Sequence, residues 1–218
     1  GHNLSGPASL LAASALARVM PASIARIRVV GCPAEEIGLG KRRLVAAGAF
    51  AATDVAVMAH AGGMRRAHRL FLGNRKLSLV FHGCAAHAAA YPERGINALD
   101  AVIALFVGIG LLRQQLPRGV RVHGIITDGG KAPNIIPDHA AALFYVRALD
   151  MAYLEELYQR VLGCFEAAAM ATGTRHQVKR AGSDYHPHKV NYALGELFRK
   201  NLEALGAAVD QGPEDQDL

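Results

Sequence analysis

Tryptophan is absent from this chain and aromatic residues make up only 6% of it, so a stacking platform for nucleic-acid bases has little to be built from. Cysteine is as sparse. Cys32, Cys84 and Cys164 are widely spaced and odd in number, which argues against a disulfide framework, and no CxxC pair offers a zinc knuckle. Long hydrophobic runs are missing too: the longest apolar stretch, Ala101 to Leu112, falls short of the ~20 residues a membrane helix needs. No basic segment leading into an apolar core and a cleavage site opens the chain. Together these absences point to a soluble, cytoplasmic protein with neither nucleic acid nor membrane as a partner.

What is present is a packed core in prospect. Hydrophobic residues reach 51% and charged residues only 19% of the 218, enough for one large domain or two small ones. The net charge of +6 is scattered, its densest clusters being Lys41-Arg42-Arg43 and Arg65-Arg66 with His68 and Arg69. Solvated faces, or a preference for anionic substrates, account for it. The chain opens at Gly1-His2-Asn3 without an initiator methionine and stops in an acidic tail, Gly212 to Leu218, which reads as a fragment of a longer protein.

Periodicity divides the chain into two characters. Leu10 to Val19 has the Ala/Leu-rich pattern of a buried helix, Ile27 to Gly31 that of a strand, Gly40 to Gly48 a helix with a basic face, and Asp54 to His60 a second strand. These give a β-α-β pattern suited to an α/β sheet. Then come a strand at Lys76–His82, a helix capped by Asn97 and running to about Gln115, strands at Val120–Thr127 and His139–Arg147, a long helix at Met151–Thr172, and a last strand at Arg175–Arg180. That order, β-α-β-β-α-β, is the split, ferredoxin-like arrangement. Asn191 to Leu205 is helical again and returns to the first domain. The expected organisation is thus residues 1–68 as the first part of a catalytic domain, 69–181 as an inserted domain, and 182–218 as the return segment.

Chemistry concentrates at a few points. Ile27-Arg28-Val29-Val30-Gly31-Cys32-Pro33-Ala34-Glu35-Glu36 delivers two adjacent carboxylates into a loop after a strand. The pair reads either as a solvated acidic turn or as one metal-holding and one proton-handling carboxylate. His2 precedes an Ala-rich helix, His60 ends the next strand, and His87 lies in His82-Gly83-Cys84-Ala85-Ala86-His87-Ala88. Each histidine alone reads as surface, core or ligand; together with the carboxylates they are the donor types that zinc, cobalt or manganese accept.

In the order and spacing of these segments the chain resembles the aminoacylase/carboxypeptidase-type zinc hydrolases, peptidase family M20, in the amidohydrolase branch that includes aminobenzoyl-glutamate hydrolases and Xaa-Arg dipeptidases. The residues carrying the resemblance are Gly1-His2-Asn3-Leu4, Pro33-Ala34-Glu35-Glu36, Gly48-Ala49-Phe50, His60, His82-Gly83 with Ala85-Ala86-His87-Ala88, and Pro92 with Gly95 to Ala101. Asn134-Ile135-Ile136-Pro137-Asp138 through Arg147 completes the set. The resemblance implies a partial zinc-peptidase-like α/β catalytic domain with a mixed sheet, plus an inserted α+β lid and dimerisation domain. It implies two divalent metal ions, zinc or manganese or alternatively cobalt, with His2, Glu36 and His60 as ligands and Glu35 as general base. His87 would reach a partner subunit's site and stabilise the tetrahedral oxyanion, while Asn134 and Arg147 would grip a substrate carboxylate. The implied activity is hydrolysis of an amide bond in a dipeptide or N-acyl amino acid, by a homodimer. The alternative is an inactive fragment or pseudoenzyme that serves as a dimerising, ligand-binding module.

The pattern also departs from the family. A cysteine is expected before Gly-His-Asn, and a last histidine ligand beyond a Ser/Thr-Asp-rich loop; the given chain holds neither, and His186 and His188 read as surface residues. Cys32 and Cys84 stand where threonine and lysine are expected. Neither exchange touches an implied ligand.

Overall fold

The computed structural model of the chain describes residues 1–36, 38–63, 65–182, 184–207 and 209. In chain order its elements are α1 (His2–Val19), α2 (Gly40–Ala46), β1 (Gly73–His82), a 3-10 turn (Pro92–Arg94), α3 (Ala98–Arg113), β2 (Arg121–Asp128), β3 (His139–Ala148), α4 (Met151–Thr172), β4 (Arg175–Arg180) and α5 (Tyr192–Ala204). They fall into two compact units: Gly1–His68 with the described residues from Asn191 onward, and Arg69–Val190.

The Arg69–Val190 unit is a four-stranded antiparallel sheet in the order β2-β3-β1-β4 with α3 and α4 on one face. Alternation along the strands decides which face. Leu77, Leu79 and Phe81 of β1 and Ala140, Ala142, Phe144, Val146 and Ala148 of β3 point to the helices and are buried. The row of alanines lets the helices approach closely, and Phe81, Phe144 and Phe165 fill the remaining space; the Phe81 and Phe165 rings lie 4.6 Å apart. Each such side chain contributes roughly 1.5–3 kcal/mol on burial. Local signals agree with the packing. The Asn97 side chain accepts from the Leu99 and Asp100 amides, Asp150 caps α4 through the Tyr153 amide, and Gly173 ends α4 in the left-handed conformation at φ 70°.

Residues 184–188 stay with this unit. Tyr185 and Asn74 exchange both backbone hydrogen bonds, the Asp184 carboxylate takes bonds from the Lys76 amide and the Arg75 guanidinium, and the His188 amide donates to the Phe71 carbonyl. The chain therefore returns to the first unit at Asn191, later than the boundary expected at residue 182. Segments 69–73 and 185–190 both run beside the Gly73 end of β1, so both connections to the other unit leave from that end of the sheet.

The other unit differs from the sequence reading. Ile27–Gly31 and Asp54–His60 enter no ladder, although their composition suits strands. A strand exists only where a neighbour supplies complementary N–H and C=O groups, and among the described residues none does so here. The mixed sheet expected of this half is therefore not formed within it. Helix α1 buries none of its residues, and no apolar side chain of the unit is buried among those described. Among the described residues the hydrophobic core lies in the Arg69–Val190 unit.

Truncating Phe165 to alanine should cost about 3–5 kcal/mol. Urea unfolding followed by circular dichroism measures this, and a loss under about 1 kcal/mol would contradict the central place given to the ring.

Candidate metal centre and sheet-end residues

The first unit gathers three distant stretches of sequence at one point. His2 occupies the first turn of α1, with Gly1 at the cap. Glu35 and Glu36 lie in a turn closed by bonds from the Gly38 amide to the Glu35 carbonyl and from the Leu39 amide to the Ala34 carbonyl. Ala34 enters that turn at φ 55°, a left-handed conformation that typically costs a residue with a Cβ about 1–2 kcal/mol. Gly40 makes the closure possible: a Cβ there would sit 1.6 Å from the Pro33 carbonyl oxygen. His60 closes the set.

The Glu35 carboxylate stands between two imidazoles, with Oε2 2.9 Å from His2 Nε2 and Oε1 3.5 Å from His60 Nε2. The His2 and His60 rings meet edge to face at 5.2 Å. One ligand atom from each of His2, Glu35 and His60 lies within 4.8 Å of the other two. Glu36 is placed differently. Its Oε1 meets the far nitrogen of His2, Nδ1, at 3.1 Å, and its side chain is 82% exposed against 31% for Glu35.

These residues fit a divalent metal. Two imidazoles and a carboxylate are a common zinc donor set, with metal–ligand distances of about 2.0–2.2 Å. His60 is already prepared for the task. Its Nδ1 lies 2.8 Å from the Ala61 carbonyl oxygen, a contact that occupies Nδ1 and leaves Nε2 to face the cluster. A backbone carbonyl fixing the second nitrogen is the usual support of a metal-binding histidine. The geometry thus brings together His2, Glu35, Glu36 and His60, and it puts Glu35 rather than Glu36 at the centre.

The remaining site residues belong to the sheet unit and divide between its two ends. His87 and Asn134 share the end where β1 stops and β3 starts. There the loop after β1 is tied to the loop before β3 by bonds from the Ala88 amide to the Asn134 carbonyl and from the Ile136 amide to the Ala86 carbonyl. Gly83 permits this packing, since a Cβ on it would fall 1.9 Å from the Ile96 carbonyl oxygen. Arg147 is at the opposite end, paired in register with Asn74 on one side and Arg121 on the other. From His139 to Arg147 the strand extends roughly 25 Å, whereas a dipeptide spans about 7 Å. One copy of the chain therefore cannot close Asn134 and Arg147 on the same carboxylate, and their joint use would take two copies. Around Arg147 the field is positive: burial, then Arg147 and Arg113, hold the His123 imidazole below its ordinary value.

One grouping had no forerunner in the sequence reading. His139 Nδ1 lies 2.9 Å from Asp128 Oδ2, and His82 packs edge to face on His139 at 5.4 Å. The Gly130 amide and His139 hold the Asp128 carboxyl below the usual carboxylate range. Only the strand register, joining His82 to His139, brings these residues together. His186 and His188 are exposed, and His188 Nδ1 bonds the Arg69 carbonyl as a stitch between the two connections. No described helix is long and apolar enough to cross a membrane.

Comparison with known proteins agrees with this architecture. Residues 72–172 match the family model of the peptidase dimerisation domain, M20_dimer. A Xaa-Arg dipeptidase from Mus musculus is 38% identical over 94% of this chain and 49% of its own length. One of the p-aminobenzoyl-glutamate hydrolase subunits of Escherichia coli is 36% identical over 87% of this chain and 40% of its own length. An aminobenzoyl-glutamate utilization protein from Klebsiella pneumoniae shares the fold, with a TM-score of 0.60 at 24% identity over 81% of this chain and 48% of that one. The chain spans about half the length of the curated relatives it matches. Fold and match agree on a dimerisation domain within the Arg69–Val190 unit. Residues 72–172 belong to the M20 peptidase dimerisation-domain family.

Zinc titrated into metal-free protein against a chelating dye should reveal a site that His60→Ala weakens by at least about 10-fold, given that changes behind the ligands alone cost that much. Equal affinity in the variant would remove His60 from the metal shell.

Proposed function

We propose that this chain supplies the proton-handling carboxylate and metal ligands of an amide hydrolase. Its substrate would be a dipeptide or N-acyl amino acid with a free carboxylate. The observation that carries this is the Glu35 carboxylate held between His2 and His60, in a chain 38% identical to a Xaa-Arg dipeptidase. Zinc or manganese bound there would polarise the scissile carbonyl and acidify the attacking water. Glu35 takes a proton from that water on one Oε and returns it to the departing amine nitrogen. His2 and His60 would hold the metal through ring nitrogens. Glu36, on the far side of His2, adds a carboxylate suited to a second ion.

In the sheet unit Arg147, in a positive field, would receive the substrate carboxylate through its guanidinium fork. His87 and Asn134, at the other end, serve the active site of a second copy. That copy docks through the exposed apolar stripe Ile103, Val107 and Leu111 of α3 and the β2 edge at Ile125 and Ile126. Helix α3 is apolar on every side though only one side is covered within the chain, the pattern of a helix meant to be buried twice.

A second reading rests on the absence of any buried apolar side chain among the described residues of the first unit. On that reading the chain is a dimerising, ligand-binding module without turnover.

Two substitutions separate these roles. Glu35→Gln should keep most of the bound metal and lower hydrolysis of an Xaa-Arg dipeptide by about 10²–10⁴-fold, as expected for a general base. Glu36→Gln should lose metal. If Glu35→Gln loses the metal instead, Glu35 is a ligand and the division between the two carboxylates is reversed. No hydrolysis by metal-loaded wild type would leave the binding module. Separately, Val107→Glu should turn the dimer into a monomer in light scattering, and an unchanged dimer would move the interface off α3.

A further inference from the structure

We infer that Lys76 is a specificity-determining residue: with Arg147 it forms a cationic face, floored by the Tyr145 ring, that selects a substrate ending in an acidic residue. The register puts these groups together. Lys76 lies opposite Tyr145, and Asn74 opposite Arg147. Alternation sends all four to the face away from α3 and α4, since Leu77, Phe144 and Val146 are buried under the helices. Lys76 Nζ stands 5.3 Å from the Tyr145 ring centroid, and Arg147 Cζ stands 5.7 Å from it. One ring thus attracts two cations.

Nothing acidic answers them. Asp184 takes the Lys76 backbone amide on one oxygen and the Arg75 guanidinium on the other, and Glu155 bonds Arg75 as well. Arg75 belongs to the helix face of β1, so both acids are engaged there. Among the described residues no carboxylate comes within ion-pair distance of Lys76 or Arg147. The positive field is felt at His123, opposite Tyr145 on β2, where burial, then Arg147 and Arg113, hold the imidazole below its ordinary value. Asn74 is 0% exposed, and its Oδ1 and Nδ2, like Arg147 Nε, have no partner among the described residues. Buried polar groups are seldom left unanswered, which points to a ligand at this end of the face.

An acidic C-terminal residue brings two carboxylates, one on the backbone and one on the side chain. In glutamate they lie about 5 Å apart, and an ion-paired nitrogen stands about 2.8 Å from a carboxylate oxygen. Two cations at 5.3 and 5.7 Å from one ring centroid are no farther apart than such a bridge reaches. The inference deepens the hydrolase reading, on which it rests for the backbone carboxylate at Arg147, and gives the side-chain carboxylate to Lys76. A C-terminal arginine would meet like charge at the same place, and an amide side chain would leave Lys76 without a counter-ion.

Binding without turnover tests this. N-acetylglutamate, N-acetylglutamine and N-acetylarginine are titrated separately into metal-free protein by isothermal calorimetry at low salt. The acid should bind about 10-fold more tightly than the amide, the usual effect of a hydrogen bond to a charged group. It should also bind more tightly than the arginine derivative. Lys76→Met should erase the preference for the acid and leave the affinity for N-acetylglutamine unchanged, while Lys76→Arg should keep the preference. Arg147→Met should weaken all three. Equal affinities in the wild type, a preference for arginine, or no binding of the acid overturns the inference. So does a preference that survives Lys76→Met, or a loss of all three in that variant with its circular dichroism intact. Zinc-loaded wild type that hydrolyses neither alanyl-glutamate nor alanyl-arginine would sink the hydrolase reading alone, because the order of the three affinities is read without it.

Discussion

Pairing of β1 with β3, from Gly73 opposite Ala148 to His82 opposite His139, is the constraint on which the sheet unit depends. A register slip of one residue would turn one strand over: either Phe81 would go to the open face and Lys76 under the helices, or Phe144 and the β3 alanines would go out and Tyr145 and Arg147 in. The same register determines which residues share an end. It sets His82 beside His139 within reach of Asp128, sends the two flanking loops out together with His87 and Asn134, and leaves Arg147 opposite Asn74 at the other end. There both Asn74 polar side-chain atoms and Arg147 Nε are buried with no partner among the described residues. Buried polar groups are seldom left this way in a finished fold, so this is where an acceptor would repay most.

In the first unit the order of dependence runs the other way. No shared core holds His2, Glu35 and His60 in place; local devices do. A left-handed Ala34, a glycine that lets α2 begin against Pro33, a helix start at His2 and a carbonyl fixing His60 bring four side chains together with little apolar burial. Such a site gains from its ligand as well as serving it, because an ion that binds the assembled form draws the assembly toward it.

The helices and the four-stranded sheet were readable because each signal was local. Asn97, Asp150 and Asn191 sit at caps, Gly173 at a stop, and β3 alternates from Ala142 to Ala148. Helix α4 and strand β4 begin and end where their periodicity says. The candidate site residues stood out for a different reason, their resemblance in order and spacing to a family. What stayed hidden was whatever depended on neighbours. Ile27–Gly31 has a strand's composition without a strand's partners, Asn134 and Arg147 are close in sequence but far apart along a strand, and no pattern marks Asp128 as the partner of His139.

Glu35 and Glu36 show how little adjacency says about role. Successive side chains in a turn diverge, and here one carboxylate faces two imidazoles while its neighbour touches one and stays mostly in water. A general base must be near enough to the metal to share its water yet free enough to exchange a proton, whereas a ligand must give up its solvation. Burial alone favours Glu35 as ligand; the family pattern favours Glu36. Of Glu35's two contacts the one to His60, at 3.5 Å, is the looser, and Glu36 has one contact to lose where Glu35 has two. The two carboxylates thus differ in degree within a single turn, and only exchanging each in turn for its amide separates holding an ion from moving a proton.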